Sequence, residues 1–361
     1  MRKRRNFLKG IGALGAAGVV AGCSGDNSGD GGSGSSDGSG ADGSSDGSSS
    51  DGESMDTETE TDTPSGPEVT FGGNEELNFN LSPSVPQEDL YVQYAPLRDH
   101  LEEYITNNFD VPDALDAQMN VGSNYSAVIQ ALGQGTADLA ETGPFAAAIG
   151  YQTDNSDIIL QRYGYGGWTY KSIIATRNDS DISEVADLEG RSVAFSDPLS
   201  TSGFLYPTAA IQDAGIDVGN LPEGNGSQAS FDPTFAGGHV QSYTLLEQGQ
   251  VDAAAMGGFV RDTKTGPTPD DWQSVATTLH EDEGLPRAPI VVSSALDDDA
   301  QNAIQEAFLQ ASDTVFDGAD AEDGTDDDLW FSKVREADVE TYQGVLDVAE
   351  SLGVGADFFG N

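Results

Sequence analysis

The sequence predicts a mixed α/β fold with a mostly parallel sheet, starting near residue 75. Three observations predict it. Short apolar segments with strand periodicity alternate with longer segments whose apolar residues recur at three- and four-residue spacing. Gly, Pro, Ser and Asp punctuate most of the boundaries between them. The length left after residues 1–74 suits one or two domains.

Glu76-Leu77-Asn78-Phe79-Asn80-Leu81 alternates polar and apolar residues, a first strand. Leu90, Tyr94, Leu97, Leu101 and Ile105 form one stripe of a helix over 90–108. A strand over 117–121 and a helix over 124–134 follow, the helix carrying Val128, Ile129 and Leu132 and stopping at Gly133 and Gly135. Residues 137–140 form a third strand, and Gly143-Pro144-Phe145 opens a short helix. Strands are expected at 157–161, 172–176 and 191–195, and a helix at 204–214 ending on Gly215. A helix over 239–246 precedes strands at 251–255, 275–279 and 288–293. Residues 300–315 and a later run to about 352 read as helices. The acidic loop 317–328 fails as a calcium loop: with Gly324 at the sixth position, Ala319 and Ala321 occupy ligand positions, so solvated surface is expected.

Residues 1–74 read as export signal and tether. Arg2-Lys3-Arg4-Arg5-Asn6-Phe7-Leu8-Lys9 is a basic twin-arginine pattern, and the apolar stretch from Ile11 to Ala21 is too short to span a bilayer. Val20-Ala21-Gly22-Cys23 has the form of a lipoprotein cleavage box. Cys23 is the only cysteine, so it has no disulfide partner and is the expected lipid attachment point. The expected segments are a signal peptide over 1–22 and a lipid-anchored acidic linker over 23–74. That linker is Ser, Gly, Asp, Glu and Thr, with too little apolar surface to offset the entropy of ordering.

Sixty-two Asp and Glu stand against 15 Lys and Arg, a formal charge of −47. That excludes a nucleic-acid partner, which needs a basic surface. Acids spread along the whole chain fit a protein working in high salt, where screening suppresses self-repulsion. There is no GxGxxG after a strand and no GxxxxGK[ST]. The three histidines, His100, His239 and His280, lie in unrelated segments, so no metal site or cofactor is expected. Ser202, His239 and Asp252 can be written as a hydrolytic triad, but the serine lacks a G-x-S-x-G elbow, and no enzyme is expected.

One local feature stands out. Ser200-Thr201-Ser202-Gly203 sits where a buried strand turns into a helix. Its hydroxyls and free N–H groups either cap the helix or bind an anion at the positive end of its dipole.

Short motifs in order add to this. They are Ala95-Pro96-Leu97, Tyr125-Ser126-Ala127-Val128, Gly135-Thr136-Ala137-Asp138-Leu139-Ala140 with Gly143-Pro144-Phe145-Ala146, and Tyr170-Lys171-Ser172-Ile173-Ile174-Ala175. Asp187-Leu188-Glu189-Gly190-Arg191-Ser192-Val193-Ala194-Phe195, Asp197-Pro198-Leu199-Ser200-Thr201-Ser202-Gly203, Gly237-Gly238-His239, Gly249-Gln250-Val251-Asp252-Ala253-Ala254 and Pro289-Ile290-Val291-Val292 continue the set. Together they resemble the PhnD-type phosphate, phosphite and phosphonate-binding proteins of ABC importers, over about residues 76–315.

The resemblance implies a two-lobed periplasmic-binding-protein-like (type II) fold with its ligand in the cleft. Lobe one would be 75–172 plus 284–361 and lobe two 173–283, with crossings near 171–177 and 280–289 as hinges. It implies an extracytoplasmic receptor, expected to be a monomer, that passes a small oxyanion to the permease and ATPase subunits of an importer. Ser200, Thr201 and Ser202 would hold the phosphonate group, with His239 and Tyr125 completing the site. No arginine is evident there, so neutral donors and helix dipoles would carry recognition. Two departures bear on the ligand. Phe259 and Ala288 stand where relatives that bind aminoalkylphosphonates carry acids, and only Asp262 is near enough to substitute. A ligand without an amine is therefore expected. The alternatives are a same-fold receptor for a sulfonate, a ferric-binding receptor using Tyr163, Tyr165 and Tyr170, and the hydrolase; the three tyrosines are read instead as hinge and cleft wall.

Overall fold

Two sheets order the chain in the computed structural model, which describes residues 66–355 apart from 73–75, 84–86, 112–114, 227, 264 and 268. The expected signal segment, Cys23 and the linker as far as residue 65 lie outside the described residues. Residues 66–72, expected as the end of the linker, belong to the body instead, with Val69 and Phe71 buried in the core beside β1 and the Val69 N–H donating to the Asp110 carbonyl at 2.9 Å. The first stretch runs β1 (Glu76–Leu81), α1 (Gln87–Asn108), β2 (Asp116–Val121), α2 (Tyr125–Gly133), β3 (Leu139–Glu141), α3 (Pro144–Gln152) and β4 (Ser156–Gly164). The second runs β5 (Thr169–Arg177), β6 (Ser192–Phe195), α4 (Tyr206–Asp213), β7 (Asp232–Phe235), α5 (His239–Glu247), β8 (Ala253–Gly257), α6 (Phe259–Asp262), α7 (Pro269–Val275) and β9 (Ala276–Pro286). The third runs β10 (Pro289–Ser293), α8 (Asp298–Leu309), β11 (Phe331–Glu336) and α9 (Gln343–Ser351).

Among the described residues, one sheet has the order β11-β4-β10-β3-β1-β2 and the other β7-β6-β8-β5-β9. Both follow one plan. In the first, β1 pairs in parallel with β2 and β3, and β10 joins antiparallel to β3. In the second, β6 pairs in parallel with β7 and β8, and β5 joins antiparallel to β8. Each central parallel strand thus has its sequence successors on opposite sides. Such a reversal opens a crevice at the carboxyl ends of the strands.

The α1 stripe is as the spacing predicts: Leu90, Tyr94, Leu97, Leu101 and Ile105 are all fully buried. They pack with Leu77, Phe79 and Leu81 of β1 in one core. Phe79 meets Tyr94 and Phe308 edge-on, with ring centroids 5.7 and 6.3 Å apart. Each such side chain contributes about 1.5–3 kcal/mol over its exposed state. In the second sheet, Val193 to Phe195 and Ala253 to Met256 are buried on both faces. Helix-covered parallel strands require that, and it explains their unbroken apolar runs.

Several features differ from the sequence expectation, the first being that the sheets are mixed and not mostly parallel, because β10, β11, β5 and β9 all join antiparallel. Residues 331–336 form a strand, not part of a helix. Phe331 is buried but most of the strand is not, and this edge position demands only a weak apolar pattern. The second edge strand, β7, contains Pro233, which an edge tolerates. The helix expected from residue 204 is preceded by a π-helical turn over Thr201–Leu205. The chain passes between the sheets at 165–168 and 287–288, because β5 pairs wholly within the second sheet; the first passage precedes the stretch expected to serve as a hinge. The two passages are joined, the Arg287 N–H donating to the Trp168 carbonyl at 2.9 Å. No helix among the described residues is long and apolar enough to cross a membrane.

Candidate functional site

A cavity of about 80 Å³ lies where the carboxyl ends of parallel strands from both sheets face each other. From β3 come Glu141, Thr142, Gly143 and Pro144; from the segment after β6, Ser200, Thr201 and Ser202; from beyond β7 and β8, His239 and Phe259. One water needs about 10–15 Å³ of such space, so the cavity suits a small oxyanion with a short substituent. Four helical N-termini among the described residues supply lining residues: Tyr125 opens α2, Gly143 and Pro144 open α3, Ser200 caps the π-helical turn before α4, and His239 opens α5. Each contributes a partial positive charge, although the Phe145, Gly203 and Ala127 N–H groups are already taken by Thr201, Ser200 and Asn124.

All five residues singled out in the sequence, Ser200, Thr201, Ser202, His239 and Tyr125, line this cavity. Ser200 is a cap, its Oγ accepting from Gly203 N at 3.0 Å. The Thr201 hydroxyl does something the sequence does not show. It accepts from the N–H of Phe145 at 2.8 Å, tying the turn in the second sheet's layer to the start of α3 in the first. Ser202 and Thr201 both approach the Tyr170 hydroxyl. Asp197, at the head of the turn, accepts from Leu199 N at 2.8 Å and lies near the N–H of Tyr125 across the gap between the layers.

His239 is 5 % exposed. Its Nδ1 accepts from Gly257 N at 3.0 Å and lies 3.1 Å from Ser196 Oγ. With Nδ1 accepting, the neutral ring carries its proton on Nε2. Burial pulls the pKa down to about 4, so the ring donates without a charge. Tyr125 stays a phenol: burial first, then the Glu141 and Asp197 carboxylates, push its pKa well up.

The expectation of a site without arginine is corrected. Arg162 and Arg287 both line the cavity. Arg162 is fully buried and committed: it pairs with Glu141 at 2.7 Å, donates to the Tyr94 hydroxyl at 3.1 Å and stacks 4.4 Å over Trp330. Arg287 differs. Its guanidinium lies 5.3 and 5.2 Å from the ring centres of Tyr165 and Tyr170, and among the described residues Nε has no hydrogen-bond partner. The buried Thr142 hydroxyl likewise has none. Neither arginine sits in a recognisable motif; only the topology delivers them. The unbroken spacing of β4 hides the one fact that could have flagged Arg162, a charge inside an apolar strand.

Phe259 and Ala288 line the cavity as their positions suggested. Asp262 instead borders an outer groove and is taken by Arg261, with contacts of 2.6 and 3.0 Å. Glu141 is the one carboxylate in the wall, and Arg162 neutralises it. Asp252 accepts from Ser192 Oγ at 2.7 Å and His239 Nδ1 faces Gly257, so no Ser202–His239–Asp252 relay is assembled. Of the three tyrosines, Tyr165 and Tyr170 line the cavity; Tyr163 packs on Trp168, with centroids 5.0 Å apart. Among the described residues no three His, Cys, Asp or Glu side chains are grouped so as to hold a metal ion.

The turn depends on Gly203. A Cβ there would lie 2.2 Å from Ser196 Oγ and 2.5 Å from Ser196 Cβ. Ser196 is fully buried beside His239 and cannot retreat. Gly203→Ala is expected to cost about 1–3 kcal/mol through overpacking, read by urea denaturation in high salt. A change below 0.5 kcal/mol would show that the turn relaxes freely.

Residues 79–342 match the sequence profile of the ABC transporter, phosphonate, periplasmic substrate-binding protein family. The phosphate-import protein PhnD of Mycolicibacterium smegmatis is 29% identical over 297 residues, 78% of this chain and 88% of that protein. The binding-protein component of an ABC phosphonate transporter from Pseudomonas aeruginosa has the same fold (TM-score 0.60, 18% identity, 76% of this chain and 85% of that one). So does PhnD1 of Prochlorococcus marinus, solved with methylphosphonate (TM-score 0.60, 17% identity, 77% and 98%).

Proposed function

The chain belongs to the phosphonate-binding family of ABC-transporter periplasmic substrate-binding proteins, and we propose that its cavity holds a small phosphonate, phosphite or phosphate ion through Ser200, Thr201, Ser202, His239 and Tyr125. The protein is the substrate-binding component of an ABC importer and acts outside the cytoplasmic membrane. The observation that carries the ligand reading is convergence. Hydroxyl groups, a neutral imidazole and four helical N-termini meet in one small cavity whose single carboxylate is already paired. Donors held in place for negative charge suit a compact oxyanion.

Capture follows from the links between the layers. The Thr201–Phe145 bond joins the two layers, and Asp197 faces the Tyr125 N–H across the same gap, so both contacts favour a closed state around the ion. The lobe bounds expected from the sequence, 75–172 with 284–361 and 173–283, would split β5 and β9, so lobe two is proposed to span 169–286, with the joined passages at 165–168 and 287–288 as the pivots. The permease would read the closed form. The mature protein is proposed to be a monomer, exported by the twin-arginine route and held by a lipid on Cys23 at the end of an acidic tether, in a salt-rich setting. It is proposed to carry no enzymatic activity.

Phe259 packs edge-on against His239, with centroids 4.9 Å apart, and leaves an ammonium group without a carboxylate. Calorimetry in high salt is expected to show methylphosphonate binding at least tenfold more tightly than 2-aminoethylphosphonate, with phosphite and phosphate also binding. A preference for the amine would overturn the amine-free reading. Binding of taurine alone would assign a sulfonate receptor.

A further inference from the structure

Arg287 is 7 % exposed and lines the cavity, yet among the described residues its guanidinium makes no hydrogen bond and no ion pair. Glu141, the only carboxylate among the described residues of the same wall, is unavailable to it. One Glu141 oxygen holds Arg162 at 2.7 Å and the other accepts from Ser82 N at 2.6 Å. The groups close enough to act on the Arg287 charge are Tyr170, Tyr165 and Arg162, none of them an acid. A guanidinium buried without a counter-charge is costly in any protein. Here it persists in a chain with 62 acidic residues, where a surface partner would be easy to find.

Its place in the cavity says which part of a ligand it meets. Ser200, Thr201, Ser202 and His239 line only the inner cavity. Arg287, Tyr165, Tyr170 and Phe259 line both that cavity and the outer groove beside it. An oxyanion seated on the serines with its substituent directed outward therefore points the substituent at Arg287. The Tyr165 and Tyr170 rings flank the guanidinium, whose planar fork suits two-point contact with a planar acceptor.

We propose that Arg287 forms a second subsite which selects oxyanions carrying a second acidic group, short phosphonocarboxylates being the chemical class that fits. This inference rests on the phosphonate reading above and adds a charge requirement at the far end of the ligand.

The test uses the full protein in high salt and three ligands: methylphosphonate, phosphonoacetate, and 2-oxopropylphosphonate, the neutral methyl-ketone counterpart of phosphonoacetate. Wild type is expected to bind phosphonoacetate at least tenfold more tightly than the ketone. In Arg287→Gln the ratio is expected to fall to about one, while methylphosphonate affinity changes less than threefold, which also shows that the variant folds. Arg287→Lys, keeping the charge but not the planar fork, should give an intermediate ratio. A wild-type ratio near one overturns the subsite, as does a ratio that survives Arg287→Gln. Equal weakening of all three ligands overturns it too, because the arginine would then serve the shared phosphonate group. If wild type binds none of the three, the phosphonate reading itself fails; if it binds methylphosphonate with no preference for the carboxylate, only the subsite fails.

Discussion

Arg162→Met is expected to destabilise the protein by about 3–5 kcal/mol, the usual cost of stripping one partner from a buried ion pair. Burial pulls the Arg162 pKa down, but Glu141 and Tyr94 more than offset that, so the group stays charged. Its Nε donates to the Ala288 carbonyl at 3.2 Å and its Nη2 to the Thr142 carbonyl at 3.2 Å. One side chain therefore ties the end of β3 to the passage before β10, and packs over Trp330 and Phe331 at 4.4 and 5.3 Å. Methionine would recover part of the packing and none of the charge. Glu141 would be left with the Ser82 N–H as its remaining donor. A second change isolates this cause: Glu141→Gln in the Arg162→Met background removes the orphaned charge and should restore at least 1 kcal/mol. Urea unfolding of the four proteins in a double-mutant cycle measures both. Arg162→Met within 1 kcal/mol of wild type would mean that the pair contributes little beyond its hydrophobic replacement.

The same geometry predicts a functional loss. Thr142 and Ala288 are cavity-wall residues, and Arg162 fixes their carbonyls. Arg162 and Glu141 hold this part of the wall because they are bonded to each other and to the backbone around them, whereas among the described residues Arg287 in the same wall is uncommitted. The division of labour is between one arginine that builds the site and another that remains free to meet a ligand.

How far the sequence discloses this depends on whether a property is local. The α1 stripe is local: five apolar residues at helical spacing suffice, and all five are buried. The Ser200 cap is local too, and Ser200 Oγ accepts the Gly203 N–H as a cap should. Edge strands are less legible, because β7 and β11 need only one paired side and so carry little apolar pattern. The arginines were not legible at all. Arg287 stands between two sheet segments, just before the strand expected at 288–293, in a stretch with no motif around it. Its meaning comes from Tyr165 and Tyr170, more than a hundred residues away, and from Glu141 being already engaged. The hydroxyl triplet, His239 and Tyr125 could be singled out because three helix starts and an ordered set of motifs pointed the same way; that Thr201 also reaches the start of α3 depends on how the layers face each other.

His239 gives the second large effect, a pH-dependent one. Its folded pKa, about 4, lies below the ordinary value of 6.5 because the ring is buried. At pH 7 both folded and unfolded forms are neutral, and the histidine contributes its full packing and its bond from Gly257. As pH falls below 6.5 the unfolded chain binds a proton that the folded protein refuses, so stability declines. The slope is about 1.4 kcal/mol per pH unit and flattens near pH 4, where the folded ring protonates too. The accumulated loss is about 3 kcal/mol. His239→Gln keeps an acceptor for the Gly257 N–H and a donor for the cavity but has no proton to bind. Wild type should therefore lose about 3 kcal/mol more than the variant between pH 7 and pH 4, with the shifts of all carboxylates common to both and cancelling in the difference. Urea unfolding across that range in constant high salt measures it. Parallel pH profiles for the two proteins would mean that the ring titrates freely, and a neutral Nε2–H donor would no longer describe the site. If the difference appears, ligand binding should show no His239-dependent step between pH 5 and 8, because the imidazole donates its proton to the oxyanion in the form it already holds.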